Sequence, residues 1–205
     1  MKLFLTSYLA GTKELVQNFL TQNDVQEILF IPTAANVEEY RDYVDEGIAA
    51  LKESGYDVAI LDVATTPHNK SMQAIQNSGC LCISGGNTFY LLQELKRNGL
   101  LDLVKQKVQD GMLYIGESAG AIIACPDISY NQIMDDKTVA TELTNYSGMG
   151  LVDYYVLPHN GEFPFVETTA QTIKIYGEKI NLVSLNNSQA IIVENEASST
   201  LADPL

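Results

Sequence analysis

The chain has 205 residues, 46% of them hydrophobic and 19% charged, which is typical of a globular protein with room for one core. Its net charge of −14 repels phosphate backbones and anionic lipids, so we expect neither nucleic-acid nor membrane-surface binding. No apolar run approaches the roughly 18 residues that a membrane helix needs. No export signal is recognisable either, so we expect a cytoplasmic protein. Monomer and homodimer both stay open.

Short β-rich runs alternate with helical patterns, which predicts an α/β fold: a single domain over residues 1–205 with a doubly wound, mostly parallel sheet. The predicted strands are 2–7, 27–32, 57–62, 79–84 and 113–115. The predicted helices are 12–21, 37–53, 69–77 and 88–110, the last broken at Asn98-Gly99. After an irregular stretch, runs at 181–185 and 190–194 predict a hairpin around 186–188 and an antiparallel edge.

The stretch 113–121, Leu-Tyr-Ile-Gly-Glu-Ser-Ala-Gly-Ala, carries the clearest signal of chemistry. An apolar run ends in Gly-x-Ser-x-Gly and continues into small residues, which predicts a strand, a sharp turn and a helix with Ser118 at the apex. The helix N-terminus offers free N–H groups to a developing oxyanion, so we expect the Ala119 N–H to be one oxyanion donor. The pattern predicts a nucleophile elbow with Ser118 as the nucleophile.

A second Gly-rich turn follows the strand predicted at 79–84 and reads Gly85-Gly86-Asn87-Thr88. Ligands of open α/β sheets bind beyond the carboxyl ends of the strands, and this strand is expected to neighbour the elbow strand. The bare backbone of the turn predicts the Gly86 N–H as a second oxyanion donor. A helix-capping turn that only needs flexible glycines is the alternative.

A serine nucleophile needs a base, and the chain has two histidines. His159 follows the apolar run 155–158 in Leu-Pro-His-Asn-Gly, where proline and glycine indicate a rigid loop at a predicted strand end. His68 lies in a polar turn before a helix. Both could reach the carboxyl edge of the sheet, and we favour His159 as the general base because a solvent-exposed turn accounts for His68.

Three motifs occur in order: Ser-Gly-Gly-Asn-Thr at 84–88, Gly-Glu-Ser-Ala-Gly-Ala at 116–121 continuing to Ala-Cys-Pro at 124–126, and Leu-Pro-His at 157–159. Together they resemble the peptidase E family of serine peptidases, family S51. The resemblance implies a flavodoxin-like sheet related to class I glutamine amidotransferases, and relatives that include aspartyl dipeptidases and cyanophycinases. It implies the same roles for Ser118, His159, Gly86 and Ala119, and places Asn87 near the acidic side chain or amino group of the substrate.

The third member of the triad departs from this pattern. Counted without gaps from Ala-Cys-Pro, the family aspartate falls on Ile133, which cannot orient an imidazole. Asp135 and Asp136 follow in the same loop, where a small change of length would restore an acid. The alternative family arrangement has a glutamate in the turn that reads Leu-Asn-Asn-Ser here, and Asn187 of that turn could hold a neutral imidazole in its tautomer. Of these three residues we favour Asp135.

The segment after His159 bears on specificity. Similar aspartyl dipeptidases have an arginine there that pairs with the substrate carboxylate, but residues 160–169 contain no Arg or Lys. A buried carboxylate without a partner would cost several kcal/mol, so we do not expect strict specificity for an N-terminal Asp. Phe163 and Phe165 instead indicate a partly apolar pocket, and Glu162 or Glu167 could hold the amino group of a substrate.

These observations predict a serine peptidase that hydrolyses dipeptides or short peptides through an acyl-enzyme on Ser118, with His159 as base. Two alternatives stay open: an esterase or amidase acting on a small metabolite, and a non-catalytic small-molecule binder with a degenerate triad. The chain has no His-Glu-x-x-His, Walker or dinucleotide-binding motif, so we expect neither a metal nor an organic cofactor.

Overall fold

The computed structural model describes residues 1–194 and 197–203 and shows an α/β fold in which helices cover a mostly parallel sheet. The described strands are β1 (Lys2–Thr6), β2 (Glu27–Ile31), β3 (Asp57–Ile60), β4 (Cys80–Ile83), β5 (Leu113–Glu117), β6 (Tyr155–Leu157), β7 (Leu182–Ser184), β8 (Gln189–Glu194) and β9 (Ala197–Ala202). The described α-helices are α1 (Lys13–Thr21), α2 (Asp42–Glu53), α3 (His68–Asn77), α4 (Thr88–Arg97), α5 (Leu101–Gln109), α6 (Ala119–Ile122) and α7 (Val166–Tyr176).

The main sheet has the strand order β3-β2-β4-β5-β1-β8-β9. Strands β1 to β5 are parallel, β8 runs antiparallel to β1, and β9 runs antiparallel to β8. A separate pair of parallel strands consists of β6 and β7. The predicted α/β class and mostly parallel sheet are confirmed, as is the adjacency of the strands before the two Gly-rich turns.

Alternation along the central strands explains the two layers of helices. In β1, Leu3 and Leu5 face one apolar cluster, which they share with α3 to α6, whereas Phe4 faces the other, which it shares with α1 and α2. Both faces of the central strands are therefore buried, so these strands appear in the sequence as short continuous apolar runs.

The C-terminal strand ends converge at one place. Ser7, Gly85 and Ser118 come shortly after the ends of β1, β4 and β5, which are neighbours in the sheet. The β6–β7 pair delivers two more loops, since His159 follows β6 and Asn187 follows β7. Parallel strands thus collect side chains from distant parts of the chain at a single edge.

The predicted hairpin between 181–185 and 190–194 is wrong, although the antiparallel edge is confirmed. β7 pairs with β6, whereas β8 pairs with β1 and β9. The reason is burial: β8 packs Ala190, Ile191 and Val193 into the core of the main sheet, while the residues of β7 are only half-buried or exposed. The loop 186–188 therefore crosses between two sheets.

The helix predicted at 37–53 is shorter than expected. A 3₁₀-helix covers Thr33–Val37, Glu38 is extended, and α2 begins only at Asp42. Residues 36–42 are all exposed, so no apolar stripe holds them in a helix, whereas α2 buries Val44, Ala50 and Leu51 at helical spacing. Within the described parts of the chain, none of the helices combines the length and apolarity required to cross a membrane.

Candidate active site

Ser118 lies at the turn between β5 and α6 with φ 46° and ψ −104°. Side chains other than glycine rarely adopt a positive φ, and such a conformation costs about 1–3 kcal/mol. The Ser118 N–H donates to the Thr6 carbonyl at 2.8 Å, so the neighbouring strand β1 holds the strained turn in place. The serine is partly exposed at the apex, which is the geometry that Gly-x-Ser-x-Gly predicts.

The two glycines of this motif are needed because backbone segments approach them closely. A Cβ on Gly116 would lie 2.6 Å from the Gly120 carbonyl oxygen, and a Cβ on Gly120 would lie 2.2 Å from the Ile83 carbonyl oxygen. The buried Tyr114 hydroxyl donates to the Gly120 carbonyl at 2.6 Å. Strand β5, helix α6 and strand β4 therefore pack against one another through backbone contacts.

His159 is the histidine that the fold brings to Ser118. Its Nε2 lies 3.0 Å from Ser118 Oγ, and its backbone has φ 59°. The backbone N–H of His159 donates to Ser7 Oγ at 3.1 Å, and the Ser7 hydroxyl donates to the Leu185 carbonyl. Ser7, at the end of β1, therefore anchors the loops that follow β6 and β7. The other histidine, His68, opens α3 and has its Nδ1 2.8 Å from the Asn98 carbonyl oxygen instead.

The group behind the imidazole is Asn187, whose Oδ1 lies 2.7 Å from His159 Nδ1. With this oxygen as acceptor, Nδ1 carries the proton and Nε2 keeps a lone pair for the Ser118 hydroxyl. Asn187 is thus the one of the three proposed residues that the structure places at the ring. An amide fixes the tautomer that a general base needs but brings no charge to the imidazole.

The expectation that Asp135 orients His159 is corrected. The Asp135 carboxylate accepts hydrogen bonds from the Thr88 N–H at 2.7 Å and from Asn131 Nδ2 at 2.8 Å. Thr88 begins α4, where the helix dipole favours a negative charge, so this acid is attracted to the helix N-terminus. Asp136 is exposed and caps the short 3₁₀-helix Lys137–Val139 by accepting from the Thr138 N–H.

The environment of His159 favours its neutral form. Burial lowers the pKa of the imidazole, which outweighs the raising effects of the hydrogen bond to Asn187 and of the Glu162 charge. Phe165 stacks on the ring, with centroids 4.7 Å apart and an interplanar angle of 20°. A neutral, stacked imidazole with a fixed tautomer is prepared to accept a proton.

The turn after β4 approaches Ser118 at Gly85, where an ideal Cβ would lie 3.3 Å from Ser118 Cβ, and it has one free N–H in the described structure. Three neighbouring N–H groups already have acceptors: Gly85 donates to the Glu117 carboxylate at 3.2 Å, Asn87 to the Ala34 carbonyl at 2.9 Å, and Thr88 to Asp135 at 2.7 Å. Within residues 1–194 and 197–203, the N–H groups of Gly86 and Ala119 donate to no other group. These two donors remain available for an oxyanion.

A family model described as Peptidase family S51 matches residues 3–201. This chain belongs to peptidase family S51. It is 41% identical over 195 residues to an uncharacterized peptidase of Pasteurella multocida, covering 95% of this chain and 94% of that protein. It is 32% identical over 152 residues to a peptidase E of Nostoc sp., covering 74% and 59%. A crystal structure of a peptidase E-like protein from Listeria monocytogenes matches with a TM-score of 0.93 and 38% identity, over 99% of this chain and 98% of that one.

Membership of family S51 confirms the resemblance found in the motifs and supports peptidase activity. A second solved structure, of a peptidase from an acI-B1 actinobacterium, is 18% identical with a TM-score of 0.71 and supports the fold alone. In this member of the family, Ser118, His159 and Asn187 form a continuous row of hydrogen-bond contacts.

Glu117 is a residue of this candidate site that the sequence analysis missed. It is 1% exposed, and its two carboxylate oxygens accept from the Leu9 N–H at 2.7 Å and the Gly85 N–H at 3.2 Å. Burial raises the pKa of this carboxyl to about 7, against the lowering effect of the two hydrogen bonds. The sequence did contain a signal for this residue, because a charged residue at the end of the apolar run Leu-Tyr-Ile-Gly-Glu indicates a buried carboxyl. Through its hydrogen bonds to Leu9 and Gly85 the carboxyl links the loops after β1 and β4, and its residue directly precedes Ser118 in the chain.

The predicted substrate contacts are placed as follows. Asn87 caps α4, because its Oδ1 accepts from the Tyr90 N–H and its amide nitrogen donates to the Asp136 carbonyl. A contact between Asn87 and the substrate stays a prediction. The second N–H of the Asn87 side-chain amide would have to make it, because the oxygen and the first N–H already have partners. Glu162 Oε1 accepts from the Asn187 N–H at 3.3 Å, Phe163 is 90% exposed, and Phe165 contacts His159.

Proposed function

We propose that this S51 peptidase is a serine peptidase that hydrolyses dipeptides or short peptides. The observation that carries the proposal is the 3.0 Å contact between Ser118 Oγ and His159 Nε2 at a turn with a strained serine backbone. A nucleophile within hydrogen-bond reach of a base that is itself oriented by a third group is the arrangement that covalent acyl transfer requires. Ser118 is partly exposed, so a carbonyl carbon can approach it.

In the proposed acylation, Ser118 Oγ attacks the scissile carbonyl while His159 Nε2 takes the hydroxyl proton. The carbonyl oxygen becomes an oxyanion that accepts from the Gly86 and Ala119 N–H groups. Collapse of the tetrahedral intermediate breaks the C–N bond, and the imidazolium returns its proton to the leaving amine. A water molecule then repeats the sequence on the acyl-enzyme and releases the acid. Removing one oxyanion donor typically costs about 10²–10³-fold in kcat.

Substrate preference is argued from charge. The chain's two arginines lie at Arg41, before α2, and Arg97, which pairs with Glu94 at the end of α4. The segment 160–169 beside His159 has no basic residue but presents Phe165 on the imidazole. Because the segment 160–169 contains no cation, we propose that an apolar or uncharged N-terminal residue is preferred to aspartate.

The test is release of amino acids from a dipeptide library by the wild-type protein and by Ser118→Ala, His159→Ala and His68→Ala. Loss of at least about 10³-fold in kcat/KM is expected for the first two variants, since each removes a member of the acyl-transfer unit. His68→Ala is the matched control and should keep wild-type turnover. Turnover that survives Ser118→Ala would overturn the serine mechanism, and a preference for N-terminal Asp would overturn the proposed specificity. Turnover of simple esters but no peptide would favour an esterase.

A further inference from the structure

The hydrogen-bond chain behind the proposed nucleophile ends on an uncharged group. Ser118 meets His159, and His159 meets Asn187, whose amide is neutral. When the imidazole takes the serine proton it becomes a cation, and a neutral acceptor stabilises that cation less than a carboxylate does. The site therefore lacks the charge that an aspartate would supply at this position.

A carboxylate lies on the far side of Asn187. Glu162 is half-buried, and its Oε1 accepts from the Asn187 backbone N–H at 3.3 Å. The Glu162 N–H donates to the His159 carbonyl at 3.0 Å, so residues 159–162 form a closed turn. Glu162 is thus bound both to the loop that carries the imidazole and to the loop that carries its acceptor.

We propose that Glu162 is a positioning residue whose carboxylate supplies, through Asn187 and across the turn, the negative charge that the Asn187 amide lacks. This inference rests on the proposed function and deepens it. It assigns the negative charge that stabilises the His159 imidazolium to a residue that does not touch the ring and does not occupy a position of the family's third triad residue. It also replaces the sequence-based role of Glu162 as a contact for the substrate amino group.

The groups around the imidazole leave Glu162 as the source of that charge. The side chains that face the ring from the elbow, from the start of α7 and from the loop 186–188 are Ser118, Phe165 and Asn187, which are all uncharged. Among the described residues, Glu162 is the charged group that raises the His159 pKa, and it does so against the larger lowering effect of burial. Geometry and charge therefore point to the same carboxylate.

The direct test is an NMR titration of the two histidine side chains in the wild type and in Glu162→Gln, which keeps an oxygen for the Asn187 N–H but loses the charge. The His159 pKa should fall in Glu162→Gln by about half a unit to one unit, because the cation loses its stabilising partner. His68 serves as the internal reference and should not move. Glu167→Gln, which removes an exposed carboxylate from the first turn of α7, is the matched control and should leave both histidines unchanged.

The kinetic test measures kcat/KM against pH and should show the same fall of the His159 pKa. The base must be neutral to act, so the acid limb of kcat/KM should move to lower pH in Glu162→Gln. Its plateau should fall about 3- to 10-fold through kcat, since each pKa unit of lost stabilisation corresponds to tenfold. An unchanged His159 pKa in Glu162→Gln would overturn the inference, and so would a rise in KM with no pKa change, which indicates a substrate contact. Failure of the proposed function is seen separately as wild-type turnover that does not depend on Ser118, while the titration still reports on Glu162.

Discussion

At the residue scale, the arrangement Ser118–His159–Asn187 separates two tasks that one aspartate performs in a Ser-His-Asp triad: fixing the tautomer and stabilising the imidazolium. The 2.7 Å contact between Asn187 Oδ1 and His159 Nδ1 fulfils the first task. For the second task the ring has no charged neighbour in contact with it among the residues that the structure describes, and burial opposes the imidazolium by lowering the His159 pKa. A triad of this kind holds a ready base at lower pH but gives the proton-transfer step less electrostatic help.

Two substitutions of Asn187 follow from this separation. Asn187→Leu removes the acceptor and the tautomer preference, so kcat should fall by about 10²–10⁴-fold. Asn187→Asp adds a charge next to the ring, which raises the His159 pKa and moves the acid limb of kcat/KM to higher pH. The measurement is kcat/KM against pH for both variants beside the wild type. Wild-type kcat in Asn187→Leu would show that the observed contact does not orient the base.

The residues at the site were predictable to different degrees, for a physical reason. Ser118 lies directly after β5 and His159 two residues after β6, in motifs whose local chemistry dictates the turn, so the sequence alone indicated the turns that carry them. Asn187 depends on how the loop 186–188 crosses between two sheets, which no local pattern encodes. Asp135 was favoured because it is an acid near the expected position, but the N-terminus of α4 holds it by the Thr88 N–H.

At the element scale, hydrogen bonds from the N–H groups of Gly85, Asn87 and Thr88 hold the turn after β4 in place. The Gly86 N–H is left free as a donor within the part of the chain that the structure describes. Gly86 has φ 126°, and a Cβ there would lie 2.4 Å from the carbonyl carbon and oxygen of Ala34. A side chain at this position therefore strains the backbone and also pushes the turn away from the 3₁₀-helix that contains Ala34. The free N–H would move with it.

Gly86→Ala should for this reason lose both stability and activity. We expect kcat/KM to fall at least about 10²-fold, since displacing one oxyanion donor already costs that much. Gly111→Ala is the matched control, because Gly111 has φ 112° and no atom within 4 Å of its ideal Cβ. That control should lose only the roughly 1 kcal/mol of an unfavourable backbone and keep wild-type kcat/KM. Equal losses of activity in the two variants would contradict a special role for the Gly86 turn.

The elements that sequence analysis missed share one property. β9 has six exposed residues, and α7 buries only Thr169 and Thr172, so neither carries an apolar stripe that periodicity could detect. The central strands β1, β2, β4 and β5 were predicted because both of their faces enter a core. Only elements that bury side chains in a core show a recognisable apolar pattern in the sequence. Elements that stay exposed therefore cannot be predicted from such a pattern.

At the scale of the whole molecule, the chain carries a net charge of −14, and it holds the carboxyl group of Glu117 fully buried and that of Asp135 partly buried. Burial raises the pKa of Glu117 to about 7 and that of Asp135 to about 6, although each accepts backbone hydrogen bonds. Ionisation of either group in the folded protein is therefore less favourable than in the unfolded chain. Rising pH adds repulsion among the exposed acids as well. Together these effects predict a protein that is more stable below neutral pH than above it.

The sign for Glu117 follows from proton linkage. Its folded pKa of about 7 lies above the ordinary value of 4.5, so the folded state binds more protons between these values. The contribution to stability is complete below about pH 4.5 and is lost as pH rises through about 7, with a magnitude of about 3 kcal/mol. Glu117→Gln cannot ionise, so its free energy of unfolding should lose this pH dependence. Any constant offset from the changed hydrogen bonds to Leu9 and Gly85 leaves the slope unaffected.

The measurement is urea denaturation of the wild type, Glu117→Gln and Glu178→Gln between pH 4.5 and 8. The difference in unfolding free energy between Glu117→Gln and the wild type should shift by about 3 kcal/mol in favour of the variant across this range. Glu178→Gln removes an exposed acid after α7 and tests the effect of net charge alone, so its difference from the wild type should stay within about 0.5 kcal/mol. Parallel curves for the wild type and Glu117→Gln would mean that the buried carboxyl keeps an ordinary pKa. The carboxyl that links the loops after β1 and β4 would then be half ionised at pH 4.5 and fully ionised near neutral pH.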